Sequence, residues 1–258
     1  MCLDPRTTDL SCDDPRPATR AQGDIFATTH WTVVLAAGRA SSEQADVALE
    51  ELCRTYWYPL YVYVRRQTST REDAEDLTQA FFARFLEKNY LEKLTSQKGK
   101  FRAFLLASLK HFLANEWDRA NRQKRGGGVL PLSLDWQDAD ARYQIDPADN
   151  ASPDKLYDRA WAIRVLERVL ARLRDENSGG EKAKLFEQLK AFLTVGANAI
   201  PHAEAAARLN LTEGAVRVAV HRLRRRYREL LREEISQTLS DPVQIEEEMQ
   251  TLFSAFGN

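Results

Sequence analysis

Apolar residues in this chain recur at spacings of three and four wherever they cluster, and no stretch of useful length alternates them as a strand would. That pattern predicts an all-α fold. Within 44–67, Leu49, Leu52, Cys53, Tyr56, Leu60, Tyr63 and Val64 share one helical face, with Pro59 placed to kink or divide the helix. Within 71–88 the face is Ala74, Leu77, Phe81, Phe82 and Phe85, behind a Thr70 cap and with Asp73 in the first turn. Within 101–123 it is Phe101, Leu105, Leu109, Phe112 and Leu113, and a shorter amphipathic segment at 27–37 precedes all three. A second group starts at Ser152-Pro153-Asp154, a helix-start pattern, and runs through Trp161, Val165, Leu166, Val169 and Leu173 of 156–174. Further helices are expected at 181–194, 202–209, 213–234 and 243–256.

A chain of 258 residues can bury two modest cores, and its punctuation divides it that way. Residues 1–23 read as a polar, disordered leader, 24–125 as a first helical domain, and 154–235 as a second. Gly126–Gly128 ends the first domain, and 126–153, rich in Asp and Pro, reads as an acidic linker. Residues 236–258 form a helical extension. Formal net charge is only -1, but it is strongly segregated. Residues 98–125 carry eight Lys/Arg against Glu116 and Asp118, 217–232 carry seven Arg against Glu229, and 130–154 carry six Asp against Arg142. Two basic blocks separated by an acidic one suit nucleic-acid contact in a way that the total conceals.

Several classes receive no support. Cys2, Cys12 and Cys53 are odd in number and lack CxxC or Cys/His spacing, which fits reduced thiols in a cytoplasmic protein. His30, His111, His202 and His221 have no zinc-like mutual spacing and pair with no acid or Cys in a catalytic pattern. Neither GxGxxG nor GxxxxGK is present. The expectation is a non-enzymatic protein without cofactor or metal, and without a signal peptide or membrane span.

Residues 202–209, 210–212 and 213–226 read as helix, turn, helix. Ala205, Ala206 and Leu209 face Val216 and Val220, and small residues at Ala205–Ala207 and Gly214 are expected to let the helices cross closely. The second helix then offers Arg217, His221, Arg222, Arg224, Arg225, Arg226 and Arg228 for phosphates and guanine edges. An ordinary solvated face is the alternative for any such helix.

These segments resemble bacterial RNA polymerase sigma factors of the extracytoplasmic-function subfamily. Glu72-Asp73-Ala74-Glu75-Asp76-Leu77-Thr78-Gln79-Ala80-Phe81 resembles the polymerase-docking helix of sigma region two. Phe101-Arg102-Ala103-Phe104-Leu105, with the basic end at 115–125, is similar to the helix that engages the -10 element. Residues 202–226 are similar to region four, with Glu213-Gly214-Ala215-Val216-Arg217 opening its recognition helix and His221-Arg222 further along. The resemblance covers roughly 45–125 and 156–234. It departs from the family at Ala80, where many relatives have Glu, and at Val218-Ala219, where relatives usually have Ser-Arg.

The resemblance implies a promoter-directing initiation factor whose partners are core RNA polymerase and promoter DNA, with an anti-sigma factor or a regulatory kinase left open. It assigns Asp73, Asp76 and Gln79 to polymerase binding. It places Ser96, Gln97, Lys98, Lys100, Lys110, Asn115, Trp117, Arg119 and Arg122 at the -10 region, and Glu213, Arg217, His221, Arg222, Arg224 and Arg225 at the -35 region. Around Gly99, Ser96 to Lys98 would form a loop that captures a flipped base, or else a plain turn. Trp117 would stack on unpaired bases, or else sit in the core. The acidic linker would follow the polymerase's RNA exit path, or serve as an extended tether. The competing class is a polymerase-independent helix-turn-helix regulator. For 243–256, Ile245, Met249, Leu252, Phe253 and Phe256 form a stripe that must be buried, either on the second domain or across 217–228.

Overall fold

The computed structural model describes residues 43–86, 100–122, 143, 151–193 and 200–257. The expected elements at 1–23 and 27–37, and most of the acidic linker, lie outside these. Among the described residues the chain is helical with no strand, and its only bridge pairs Lys100 with Leu239. The helices are α1 (Glu43–Arg65), α2 (Arg71–Leu86), α3 (Phe101–Arg122) and α4 (Pro153–Glu176). They are followed by α5 (Gly180–Leu189), α6 (His202–Leu209), α7 (Glu213–Ser236) and α8 (Ile245–Ser254). The helix expected at 181–194 is split, since α5 tightens into a 3-10 turn at Lys190–Phe192.

Polar residues at the starts of these helices satisfy backbone donors that have no partner within the helix. The Asp73 N–H donates to Thr70 Oγ1 at 3.1 Å, and the Thr70 hydroxyl donates to Asp73 Oδ2 at 2.7 Å. Ser152 accepts from Lys155 N–H ahead of Pro153, and Asp241 accepts from Val243 N–H ahead of Pro242. Thr212 accepts from Ala215 N–H at 3.2 Å. Replacing Thr212 with alanine is expected to cost about 1 kcal/mol, read as a lower urea midpoint, because an exposed cap has no packing role to compensate. An unchanged midpoint would show that the Thr212 hydroxyl contributes nothing to helix α7.

Helix α1 is the centre of the structure. Pro59 lies inside it without dividing it. Residues 58–64 are buried without interruption, so this part of α1 is covered all round rather than along the single stripe its spacing suggests. Helices α2 and α3 pack on it from the first half of the chain, and α4 packs along it from the second. Phe81 and Phe85 of α2, Phe101 and Phe112 of α3, and Tyr56 of α1 meet mostly edge to face. Trp161 of α4 is fully covered in the same cluster, which continues through Leu230, Leu231 and Ile235 of α7 to Met249 and Leu252 of α8. Helices from both sides of the expected linker therefore share one core.

The buried Cys53 thiol is pushed up to about 12 by desolvation and then by Glu50, so it stays protonated at neutral pH. Among the described residues no group of His, Cys, Asp and Glu could hold a metal ion. No helix among them is long and apolar enough to cross a membrane.

Helix α8 packs on α7 and α4. Of its expected stripe, Met249 and Leu252 are buried and Ile245 is half-buried, whereas Phe253 and Phe256 are 57% and 46% exposed. The buried sector is rotated to include Glu248, which leaves Phe253 on the flank, and the helix ends at Ser254 before Phe256.

Candidate nucleic-acid interface

Helices α6 and α7 build a helix-turn-helix on a small core of their own. Ala205, Ala206, Val216 and Val220 are buried together with Leu189 and Phe192. Asn210 closes α6 in the left-handed region at φ 57, a conformation that asparagine tolerates better than most residues. The Leu211 N–H then donates to the Ala206 carbonyl at 3.0 Å, and Thr212 opens α7. Of the small residues expected at the crossing, Ala205 and Ala206 are buried in it. Ala207 and Gly214 are exposed, and a Cβ on Gly214 would meet nothing within 4 Å, so the expected packing role of Gly214 is corrected.

With Val216, Val220, Leu223 and Tyr227 turned inward, the 3.6-residue repeat sends Arg217, His221, Arg222, Arg225 and Arg228 outward. All five are exposed. Arg217 pairs with Glu213 at 2.6 Å and Arg225 with Glu229 at 3.0 Å, both one turn away on the same helix. Exposed pairs of this kind contribute little and exchange readily for a phosphate. Among the described residues Arg222 and Arg228 have no carboxylate partner. Two other arginines of α7 are committed to the fold. Arg224 Nε donates to the Phe192 carbonyl at 3.0 Å, tying α7 to the turn after α5. Arg226 reaches Glu176 at the end of α4 at 2.6 Å, and that hydrogen bond holds the Glu176 carboxyl below its ordinary range.

Those residues assigned to the -10 element that the structure describes do not form one group. Ser96, Gln97 and Lys98 lie outside the described residues, as does the side chain of Arg122. Lys100, at the start of α3, and Arg119 are separated by about 28 Å of helix at 1.5 Å per residue. Asn115, Trp117 and Arg119 are exposed near the end of α3, with Trp117 43% exposed and therefore outside the core. Arg119 pairs with Glu116 at 2.7 Å. Lys110 pairs with Asp154 at the start of α4 and lies over the Tyr63 ring at 5.7 Å. Lys100 Nζ sits 3.0 Å from Glu247 and 2.9 Å from Glu248 of α8. Of the residues assigned to docking, Asp73 and Asp76 are exposed on α2 and Gln79 is half-buried there.

Sequence reasoning missed the polar knot beside Lys100. Arg102 Nε donates to Glu248 Oε1 at 2.8 Å, another of its nitrogens pairs with Asp158 of α4, and its guanidinium lies 4.7 Å from the Trp161 ring centroid. The Tyr157 hydroxyl donates to the Arg102 carbonyl at 3.1 Å. Burial opposes the charges on Lys100 and Arg102, but the Glu248 bonds outweigh it and raise both groups. Cations raised in this way keep the full stabilisation below their ordinary range and lose it only in strong alkali, so the knot is intact at neutral pH. Glu248 gave one signal: it is an acid between Ile245 and Leu252, at spacings that place it beside their face.

Comparison with known proteins finds no matching family model, no matching curated protein and no matching solved structure.

Proposed function

We propose that the protein is a transcription initiation factor that binds core RNA polymerase and directs it to promoters. The observation that carries this reading is the α6–turn–α7 unit, whose second helix turns Arg217, His221, Arg222, Arg225 and Arg228 outward beside the exposed Val218. A helix laid in the major groove uses such arginines on phosphates and guanine edges, and Val218 suits a thymine methyl. The second support is the resemblance of α2 and α3 to sigma region two. On this reading Asp73, Asp76 and Gln79 face polymerase, while Trp117, with Asn115 and Arg119, stacks on unpaired bases of the -10 element. No bond is made or broken. Binding the separated strand in preference to the duplex stabilises the open promoter once polymerase holds the DNA.

Run-off transcription tests the reading. Adding the protein to core polymerase from the source bacterium is expected to give discrete transcripts from genomic templates, and Trp117→Ala is expected to reduce them by about tenfold or more, as loss of one stacked base would. Raising salt should weaken promoter binding with a slope near 0.9 per phosphate contacted. No transcripts, together with promoter binding by the free protein as tight as in the presence of polymerase, would favour the polymerase-independent regulator.

A further inference from the structure

The two ends of α3 differ. At its far end Asn115, Trp117 and Arg119 are open to solvent. At and after its start, acids from other elements hold the cations: Glu247 and Glu248 on Lys100, Glu248 and Asp158 on Arg102, and Asp154 on Lys110. The Glu248 carboxylate is fully covered, and a buried carboxylate is retained only where paired donors offset its desolvation. The backbone reinforces the hold. The Phe101 N–H donates to the Thr238 carbonyl at 3.0 Å, and Lys100 and Leu239 form an antiparallel bridge.

We propose that α8 and the segment leading into it are an intramolecular gate on α3, in which Glu247 and Glu248 occupy the cations that a nucleic-acid phosphate would otherwise take. This rests on the reading above, in which Lys100 meets DNA. Carboxylate and phosphate oxygens accept from the same donors, so α8 and a polyanion compete for Lys100 and Arg102. Being tethered, α8 competes at a high effective concentration and prevails over free DNA. DNA prevails when a partner holds it close to α3. The free protein is therefore closed at the start of α3 while the α7 face stays open.

The test uses the full chain in two measurements, hydrogen exchange at the Phe101 amide without DNA and anisotropy with a short fluorescein-labelled single-stranded DNA. In a Glu247→Gln, Glu248→Gln double variant, exchange at Phe101 is expected to accelerate and strand affinity to rise about tenfold, as loss of one strong competing contact would give. Glu247→Gln alone, at a side chain 68% exposed, is expected to give about a twofold rise and keeps the test alive if the double variant unfolds. Glu246→Gln makes the same charge change beside Arg232 and is expected to leave affinity unchanged. Faster exchange with unchanged affinity, unchanged exchange, or an equal rise in Glu246→Gln would each overturn the gate. If wild type supports run-off transcription while the variants gain no affinity, the gate alone falls. If wild type neither supports transcription nor binds the strand with polymerase present, the functional reading falls and takes the gate with it.

Discussion

Replacing Trp161 with alanine is expected to remove about 3–5 kcal/mol of stability, a large part of what a typical domain possesses. Trp161 is among the largest fully buried side chains and sits where α1, α4 and the end of α7 meet. Its loss leaves a cavity bounded by elements that hold one another in place, so collapse into it is limited. The Arg102 guanidinium 4.7 Å from the ring centroid also loses its aromatic face. Trp161→Phe is expected to cost much less, because it keeps most of the apolar surface and removes an indole N–H that has no aligned partner among the described residues. Thermal or urea melts monitored by circular dichroism separate the two variants. Equal, small losses in both would show that the helices on either side of 126–153 do not depend on one another.

On the proposed reading, Arg217→Ala combined with Arg222→Ala is expected to weaken promoter recognition by about tenfold or more for each residue, since a base or phosphate contact contributes about 1–3 kcal/mol. Both side chains point away from Val216 and Val220, and among the described residues the only bond that Arg217 makes is to Glu213 on its own helix surface. Stability should therefore change by no more than about 0.5 kcal/mol. Arg224→Ala is the informative contrast on the same helix. It breaks the bond to the Phe192 carbonyl and should lower stability. Promoter titrations by holoenzyme, paired with melts of the free protein, read both effects. A collapse of stability in the Arg217, Arg222 variant would show that these arginines are structural and that the outward face is misassigned.

Much of the local structure was legible because it depends on neighbours in sequence. The span 202–209, the start of α7 at Glu213, and the caps at Thr70, Ser152 and Asp241 follow from side chains within a turn of the backbone groups they satisfy. Periodicity also identified the inward faces of α3 and α4. It does not say which helix covers a face. The run from Tyr56 to Val64 contains no charged residue and can be covered only from more than one side, yet nothing local names α4 as the second cover. The same limit hid the Arg102–Glu248 pair, whose members are 146 residues apart. Gly214 was misjudged for another reason. Small size permits close approach but does not require it, and here the neighbouring helix crosses at Ala205 and Ala206 instead. At the candidate interface, spacing found the outward arginines of α7 but could not separate them from Arg224 and Arg226, each of which also reaches a partner outside α7.

The bond from the Phe101 amide to the Thr238 carbonyl also orders events during synthesis. Helices α1 to α3 leave the ribosome long before residue 238 exists, so the start of α3 and its half-buried cations wait for residues from beyond 126–153. Contacts of such sequence separation form late, because loop closure must be met before they return any stabilisation. A nascent chain that has not reached α4 therefore presents Lys100 and Arg102 without their acids, and α4 supplies Asp158 to Arg102 before α8 supplies Glu248. It reaches its closed form only once α8 has been made.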